Sequence, residues 1–298
     1  MKPFVKWVGG KTQHIDLLKT ILPNHFDSYI EPFAGGAALM YQIKPKNVIL
    51  NDINFELIKS FNTIKNSNLD DLFKVLDLYE NNNSKEYFLE QRSTDVKKLT
   101  DVEITARFIY LNKAGFNGLY RVNSKGVFNV PYNNKKDLKI YNKDNLVEIN
   151  KYLNSINFKA LNEDYKKIIN NSKKGDFLFV DPPYDYEEAE SGFTSYSKSG
   201  FNSKDQEELF NALNKANDRG VKWILCNHDT KLINNLYNKY NKVEKISNRF
   251  INSDATKRKN ARIEVFYYNY SNKKENEIEE IQKTKSFNWR LFRIFKWK

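Results

Sequence analysis

Eight residues constrain this chain more than any others: Phe177-Leu178-Phe179-Val180 running directly into Asp181-Pro182-Pro183-Tyr184. Four consecutive apolar residues read as a strand buried on both faces, with a carboxylate at its carboxyl end. In an open α/β sheet that end is where ligands bind, so Asp181 stands where chemistry is done. Pro182 and Pro183 fix φ at successive positions and remove two backbone donors, which predicts a stiff turn whose carbonyls are free to accept hydrogen bonds. Tyr184 adds a flat ring. Acceptors beside a stacking face suit a flat substrate that carries an amino group. The same residues would also serve as a plain strand stop, with Asp181 capping the turn and Tyr184 filling a gap. The rest of the chain has to decide.

With 298 residues, 40% of them hydrophobic and 14% aromatic, the chain has ample material for a buried core. Its formal charge of +12 favours a polyanionic partner. Residues 271–298 hold eight Lys or Arg and four Asp or Glu, a contribution of +4, so the body is basic in its own right. The single cysteine, Cys226, lies in the apolar run Val221-Lys222-Trp223-Ile224-Leu225-Cys226 and is expected to be a small buried hydrophobe. His14, His25 and His228 are scattered, so no zinc cluster of ordinary spacing can be assembled and no metal is expected. No apolar signal segment follows Met1-Lys2-Pro3 and no run approaches a membrane span, which predicts a cytoplasmic protein without a membrane role for its body.

Phe4-Val5-Lys6-Trp7-Val8-Gly9-Gly10-Lys11 opens the chain and leads into a helix predicted from about Gln13 to Ile21. Gly9-Gly10-Lys11-Thr12 invites a phosphate-loop reading, but Val5 stands where that pattern needs its first glycine, and a nucleoside triphosphate site is rejected. Ser28 to Leu39 reads as a strand, a turn at Phe33-Ala34-Gly35-Gly36 and the start of a helix. Glycines there would let a cofactor approach the backbone closely. The next strand, around Val48-Ile49-Leu50, ends in Asn51-Asp52, which places an acid to accept hydrogen bonds from ribose hydroxyls.

From Phe55 to Asn157 the α/β alternation gives way to helical periodicity and a glycine-rich, hairpin-like segment from Gly115 to Pro131. Asn117, Tyr120, Arg121, Asn123 and Lys125 interleave there, side-chain types that read base edges and phosphates, and the segment resembles a recognition loop more than core. A solvated helical insertion is the plainer reading of the same charges. The α/β rhythm then resumes with a strand near Phe158–Asn162, a helix from Asp164 to Asn170, strand 176–181, a helix from Ser203 to Asn217, a strand at 221–226 and a final antiparallel strand from Ile263 to Tyr270. Asp185 to Phe201 is long enough for a substrate-covering loop, Asp229 reads as a helix N-cap, and Lys257-Arg258-Lys259 as a phosphate contact. Residues 271–298 form a tail of unassigned role that ends in a segment able to place Phe287, Leu291, Ile294 and Phe295 on one helix face.

The order of these motifs, Pro-Phe-Ala-Gly-Gly turn, insertion, then Asp181-Pro182-Pro183-Tyr184, resembles the alpha group of DNA N6-adenine methyltransferases, and within it the Dam and DpnII-type enzymes that act on GATC. The matching stretches are Phe4 to Lys11, Glu31 to Leu39, Leu111 to Pro131, Val180 to Tyr184 and Ile224 to Thr230, so the resemblance covers roughly residues 1–270. It implies an α/β fold, a Rossmann-like S-adenosylmethionine-dependent methyltransferase sheet made of residues 1–54 and 158–270, with a mainly helical DNA target-recognition domain inserted at 55–157. It further implies that Trp7, Lys11, Phe33, Gly35, Asp52 and Asp181 bind S-adenosyl-L-methionine, that Asp181, Pro182 and Tyr184 are catalytic, and that Lys6, Asn117, Leu119 and Arg121 face the bases of double-stranded DNA. One departure stands out: the family often has Phe-x-Gly-x-Gly, and here Ala37 occupies the last position. Similar enzymes acting on GATATC share most of the motifs. Related Asp-Pro-Pro-Tyr motifs also serve methyltransferases acting on RNA or protein amines, but the basic insertion argues against a protein substrate. A catalytically silent DNA-binding protein is disfavoured by the intact Asp181, Pro182 and Tyr184.

Overall fold

The structure is a computed structural model that describes residues 1–123, 126–135, 137–186, 200–247 and 262–271. Most of the expected covering loop, the basic run 257–259 and the C-terminal tail lie outside these residues.

Among the described residues a seven-stranded sheet forms the centre. Its strands are β1 (Ser28–Glu31), β2 (Asn47–Asn51), β3 (Asn157–Leu161), β4 (Asp176–Val180), β5 (Lys222–His228), β6 (Asn241–Ser247) and β7 (Arg262–Tyr268), in the order β3-β2-β1-β4-β5-β7-β6. Strands β3, β2, β1, β4 and β5 pair in parallel, and β7 runs antiparallel between β5 and β6. The expected closing antiparallel strand is therefore present. Strand β6 was not anticipated: Asn241-Lys242-Val243-Glu244-Lys245 is mostly polar, as suits an edge strand with one neighbour.

Side-chain alternation divides the core between the two faces of the sheet. On β4, Phe177 and Phe179 point into one cluster and Leu178 and Val180 into the other. β5 and β7 do the same, with Ile224, Cys226, Phe266 and Tyr268 against Trp223, Leu225, Val265 and Tyr267. Cys226 is fully buried, as its apolar run implies.

The second face is covered by α8 (Tyr165–Asn170), α9 (Ser203–Asp218) and α10 (Lys231–Tyr237). The first face carries α1 (Ile15–Ile21), α2 (Ala38–Ile43), α3 (Phe55–Asn66), α4 (Leu69–Asn81), α5 (Lys85–Ser93), α6 (Asp101–Ala114) and α7 (Lys143–Asn154), within which one core runs without a break from Tyr29 and Phe177 to Phe88 and Tyr110. Residues 55–154 are thus mainly helical and share the sheet's core. Strong caps fix these helices: Thr100 and Glu103 form a reciprocal capping box on α6, and Asn54, Asn68 and Ser84 each accept from the first turn of α3, α4 and α5. The cap of α10 is Thr230, whose hydroxyl accepts from Ile233 N–H. Asp229, expected as that cap, instead pairs with Lys242 at 2.9 Å, because β5 runs to His228, two residues beyond the apolar run.

Strand order reverses between β1 and β4, since β2 and β3 lie on one side of β1 and β4, β5, β7 and β6 on the other. A crevice opens at the carboxyl ends of the strands flanking such a reversal. Glu31 ends β1, Asp52 follows β2 and Asp181 follows β4, so three carboxyl groups gather there.

Candidate active site

Asp181 sits at this crevice because β4, buried along its whole length, delivers it there. Its Oδ1 receives the Lys11 ammonium at 2.7 Å. Lys11 is buried, also donates to the Gly9 carbonyl at 2.5 Å, and lies 4.9 Å from the centre of the Tyr184 ring. Burial disfavours the ammonium, but Asp181 and, behind it, Glu264 outweigh that and hold the Lys11 pKa above its ordinary value. Burial pushes the Asp181 carboxyl up, against the pull of Lys11.

The two prolines do not leave both carbonyls free. Gln206, buried on α9, donates its amide to the Pro183 carbonyl at 2.9 Å and accepts from the Asn227 side chain. Asn227, fully buried at the end of β5, accepts in turn from Asp185 N–H. The Pro182 carbonyl has no donor among the described residues and is the acceptor the turn presents. Tyr184 is held edge-on by His228, at 4.7 Å between ring centres, and its hydroxyl donates to Glu264 at 3.2 Å. The other oxygen of Glu264 lies 3.2 Å from His14 Nε2.

At the first strand end the turn 33–37 is tied to β2 by consecutive donors. Ala34 N–H bonds the Asn51 carbonyl at 2.8 Å and Gly35 N–H bonds Asp52 Oδ2 at 2.9 Å, while Asp52 Oδ1 accepts from Asn54 N–H. Burial raises the Asp52 carboxyl, with these two N–H groups opposing. Gly35 has φ +49°, and a Cβ there would stand 2.5 Å from the Trp7 indole. The close approach these glycines permit is thus made by Trp7, which also lies 6.1 Å from Tyr120 at 18°. Phe33 packs on Tyr165 and Phe201. Ala37, where the family often has glycine, adopts φ +49° and ψ +43°. That left-handed position is the physical reason for the family's glycine, and here alanine bears it.

Glu31 receives the Tyr29 hydroxyl at 2.7 Å, two residues back on the same face of β1. Burial, opposed by this bond and by Met40 N–H, pushes its carboxyl up to about 8. The crevice therefore sets Asp52 and Asp181 against one ammonium, with Glu31 held protonated behind them, a balance that suits a ligand carrying positive charge. A sulfonium cofactor such as S-adenosylmethionine has that charge, and Asp52 has lone pairs left for ribose hydroxyls.

The residues expected to face DNA lie on one turn and on the N-terminal segment. Asn117 is exposed at φ +56°, Leu119 is half-buried, and Arg121 is exposed, with its guanidinium on the Asn129 side chain at 2.7 Å. Lys6 is exposed and its stem lies over Gly118. Bridges Gly115 to Tyr132 and Val122 to Phe128 make the segment a loose hairpin. Phe128 and Val130 are buried while Phe116, Val122 and Val127 remain exposed, so the segment is both anchored in the core and open on one side.

Sequence reasoning missed Glu264, His14, Gln206, Asn227 and Glu31. Glu264 carried a usable signal: it shares a strand face with Phe266 and Tyr268, and an acid on a core face needs partners. The Asn227 amide oxygen is spent on the backbone leaving Tyr184.

The family model for D12 class N6 adenine-specific DNA methyltransferases matches residues 7–251. The chain is 36% identical over 276 residues to the type II methyltransferase M1.LlaDCHI of Lactococcus lactis subsp. cremoris, covering 91% of this chain and 96% of that protein. It is 36% identical over 292 residues to the type II methyltransferase M.MjaIII of Methanocaldococcus jannaschii, covering 91% and 99%. The DNA adenine methylase of Haemophilus influenzae is 32% identical over 241 residues, covering 80% and 83%. Among the described residues no helix is long and apolar enough to cross a membrane, and no group of His, Cys, Asp and Glu could hold a metal ion.

Proposed function

The chain belongs to the D12 class of N6 adenine-specific DNA methyltransferases, and from that premise we propose that it methylates N6 of an adenine flipped out of duplex DNA, within GATC, using S-adenosylmethionine. The observation that carries this reading is the convergence of Asp181, Tyr184 and Lys11 at the end of β4, beside Asp52 and the Gly35 turn.

Adenine N6 is a weak nucleophile because its lone pair is delocalised into the ring. A site that favours a pyramidal amine therefore lowers the barrier. The Asp181 carboxylate and the Pro182 carbonyl accept the two N6 protons, hold that geometry and stabilise the positive charge that develops on nitrogen. Lys11 fixes the carboxylate through Oδ1, and the Tyr184 hydroxyl also hydrogen-bonds it. Tyr184 stacks on the base, with Glu264 and His228 setting the angle of its ring. When bound, S-adenosylmethionine supplies a methyl group on a positively charged sulfur. Trp7, Phe33, Gly35, Asp52, Lys11 and Asp181 would hold it, and orientation is most of what the protein adds.

A base stacked in a duplex cannot reach this crevice, so flipping precedes transfer at a cost of a few kcal/mol. In this reading residues 55–157 are the recognition part. Asn117, Leu119 and Arg121 read base edges and Lys6 adds a contact from the N-terminal segment. The type II relatives suggest a role beside a restriction endonuclease.

The test is incubation with methyl-labelled S-adenosylmethionine and duplexes containing GATC, GATATC or neither. Label on adenine N6 in the GATC duplex alone is the expected result. Label only in GATATC would replace the target sequence, and no label on adenine N6 in any of the duplexes would overturn the proposal.

A further inference from the structure

Lys6 and Trp7 are consecutive residues that press on two different glycine turns. The Trp7 indole lies on Gly35 at the proposed cofactor side, and the Lys6 stem lies on Gly118 at the proposed DNA side, where a Cβ would come within 2.6 Å of it. The backbone that joins them belongs to no helix or strand. Its Lys6 part is held by Asn112, fully buried in the last turns of α6.

Asn112 Oδ1 accepts the Lys6 N–H at 2.8 Å, and Nδ2 donates to the Lys6 carbonyl at 2.8 Å and to the Gly118 carbonyl at 3.0 Å. One amide therefore pairs with both backbone groups of Lys6, as a neighbouring strand would, and ties them to the recognition turn. Both of its donors are used, and leaving either carbonyl unpaired in a buried place would be costly. Asn112 thus bonds the N-terminal segment to the turn 115–118, alongside the Lys6 stem on Gly118.

We propose that Asn112 is a positioning residue that couples the cofactor site to the DNA site, so that each ligand tightens binding of the other. A ligand that fixes Trp7 on Gly35 also fixes Lys6 on Gly118, and the second ligand then has less left to order. Coupling of this kind is reciprocal by necessity. The inference rests on the cofactor and DNA assignments proposed above.

Asn112→Asp tests it. The substitution keeps the shape and the acceptor for Lys6 N–H but turns an oxygen towards the two carbonyls. The Kd of a fluorescent GATC duplex is measured with and without sinefungin, an unreactive analogue of the cofactor, and the Kd of the analogue with and without duplex. In the wild type both ratios are expected to agree and to fall between about 5 and 150. In Asn112→Asp both fall to about one, while each ligand alone keeps its affinity within about threefold. A purely structural role would weaken both ligands and leave the ratio intact, so a preserved ratio in the variant, or no ratio in the wild type, overturns the proposal. If Asn112→Asp shows no cooperative thermal transition, Gly118→Ala takes its place, since its methyl pushes the turn off Lys6, and it must lower the ratio too. Running the series on a duplex without GATC separates the two readings: coupling without sequence preference removes only the GATC assignment.

Discussion

The crevice at the strand ends and the turn at 115–133 are built on opposite plans. In the crevice every charge has a fixed partner: Asp181 with Lys11, Glu264 with Tyr184 and His14, Asp52 with two backbone N–H groups. On the turn, Asn117 and Arg121 stand in solvent, and Arg121 leans only on Asn129. The first arrangement costs desolvation at folding and needs no rearrangement when substrate arrives. The second leaves donors exposed for a partner that brings its own acceptors. The difference teaches that damage to the crevice should fall on the rate of transfer and damage to the turn on affinity and sequence choice.

Asp181→Ala should break the first half of that statement most severely. It removes the proposed acceptor for N6 and strands the buried Lys11 ammonium. A loss in kcat of at least about 10²- to 10³-fold is expected, with stability lower by about 3 kcal/mol but a cooperative unfolding transition retained. Single-turnover methylation and thermal melts measure the two effects, and an active variant would sink the mechanism.

Arg121→Ala is the matching experiment on the turn. If Arg121 reads a base as proposed, loss of its guanidinium should weaken duplex binding by about 1–3 kcal/mol and relax discrimination at one position of the site. At saturating DNA, kcat should stay within about threefold. A fall in kcat with unchanged Kd would show that the turn acts on chemistry and would erase the distinction.

The two regions were also unequally legible in the sequence. Strand β4 and its Asp-Pro-Pro-Tyr exit could be read directly, because a four-residue apolar run followed by two prolines leaves few local alternatives. The parallel strands β1 to β5 followed from similar runs. What could not be read was pairing at long range: Glu264 reaching Tyr184 across 80 residues, or Asn112 reaching Lys6 across 106. Such contacts depend on how β7 slots between β5 and β6 and on where α6 ends, and no local pattern encodes either. The Pro183 carbonyl makes the same point, since its availability was decided by Gln206 on a helix 23 residues away.

Glu31 gives the crevice a pH signature that the turn lacks. Its folded pKa of about 8 lies above the ordinary glutamate value of 4.5, so between these limits the folded protein holds a proton that the unfolded chain has released. Stability from this group is full below about pH 4.5, falls as pH rises through the window, and levels off above about pH 8. Glu31→Gln fixes the neutral form. Its melting temperature relative to wild type should therefore rise steadily from pH 5 to pH 8, whereas Arg121→Ala should show a difference that is flat with pH. A flat difference for Glu31→Gln as well would mean that the carboxyl is not held neutral in the folded protein.

The smallest effects come from the two ends of α2, where the non-glycine caps Ala37 and Lys44 both adopt left-handed backbone. Lys44 caps the helix at φ +48°, with its N–H on the Met40 carbonyl and its side chain 55% exposed, so replacing it loses little packing. Relief of about 1–2 kcal/mol of backbone strain, set against about 0.4–1 kcal/mol of added unfolded-state entropy, leaves Lys44→Gly more stable by about 0.5–1 kcal/mol. Ala37 has the same backbone geometry but a buried methyl, 1% exposed. Ala37→Gly gains the same relief but also gives up about 0.8 kcal/mol of burial, and the terms nearly cancel. Denaturant titrations should thus show a gain for Lys44→Gly and almost none for Ala37→Gly. An equal gain at both would mean that the Ala37 methyl contributes nothing to the packing under the turn 33–37.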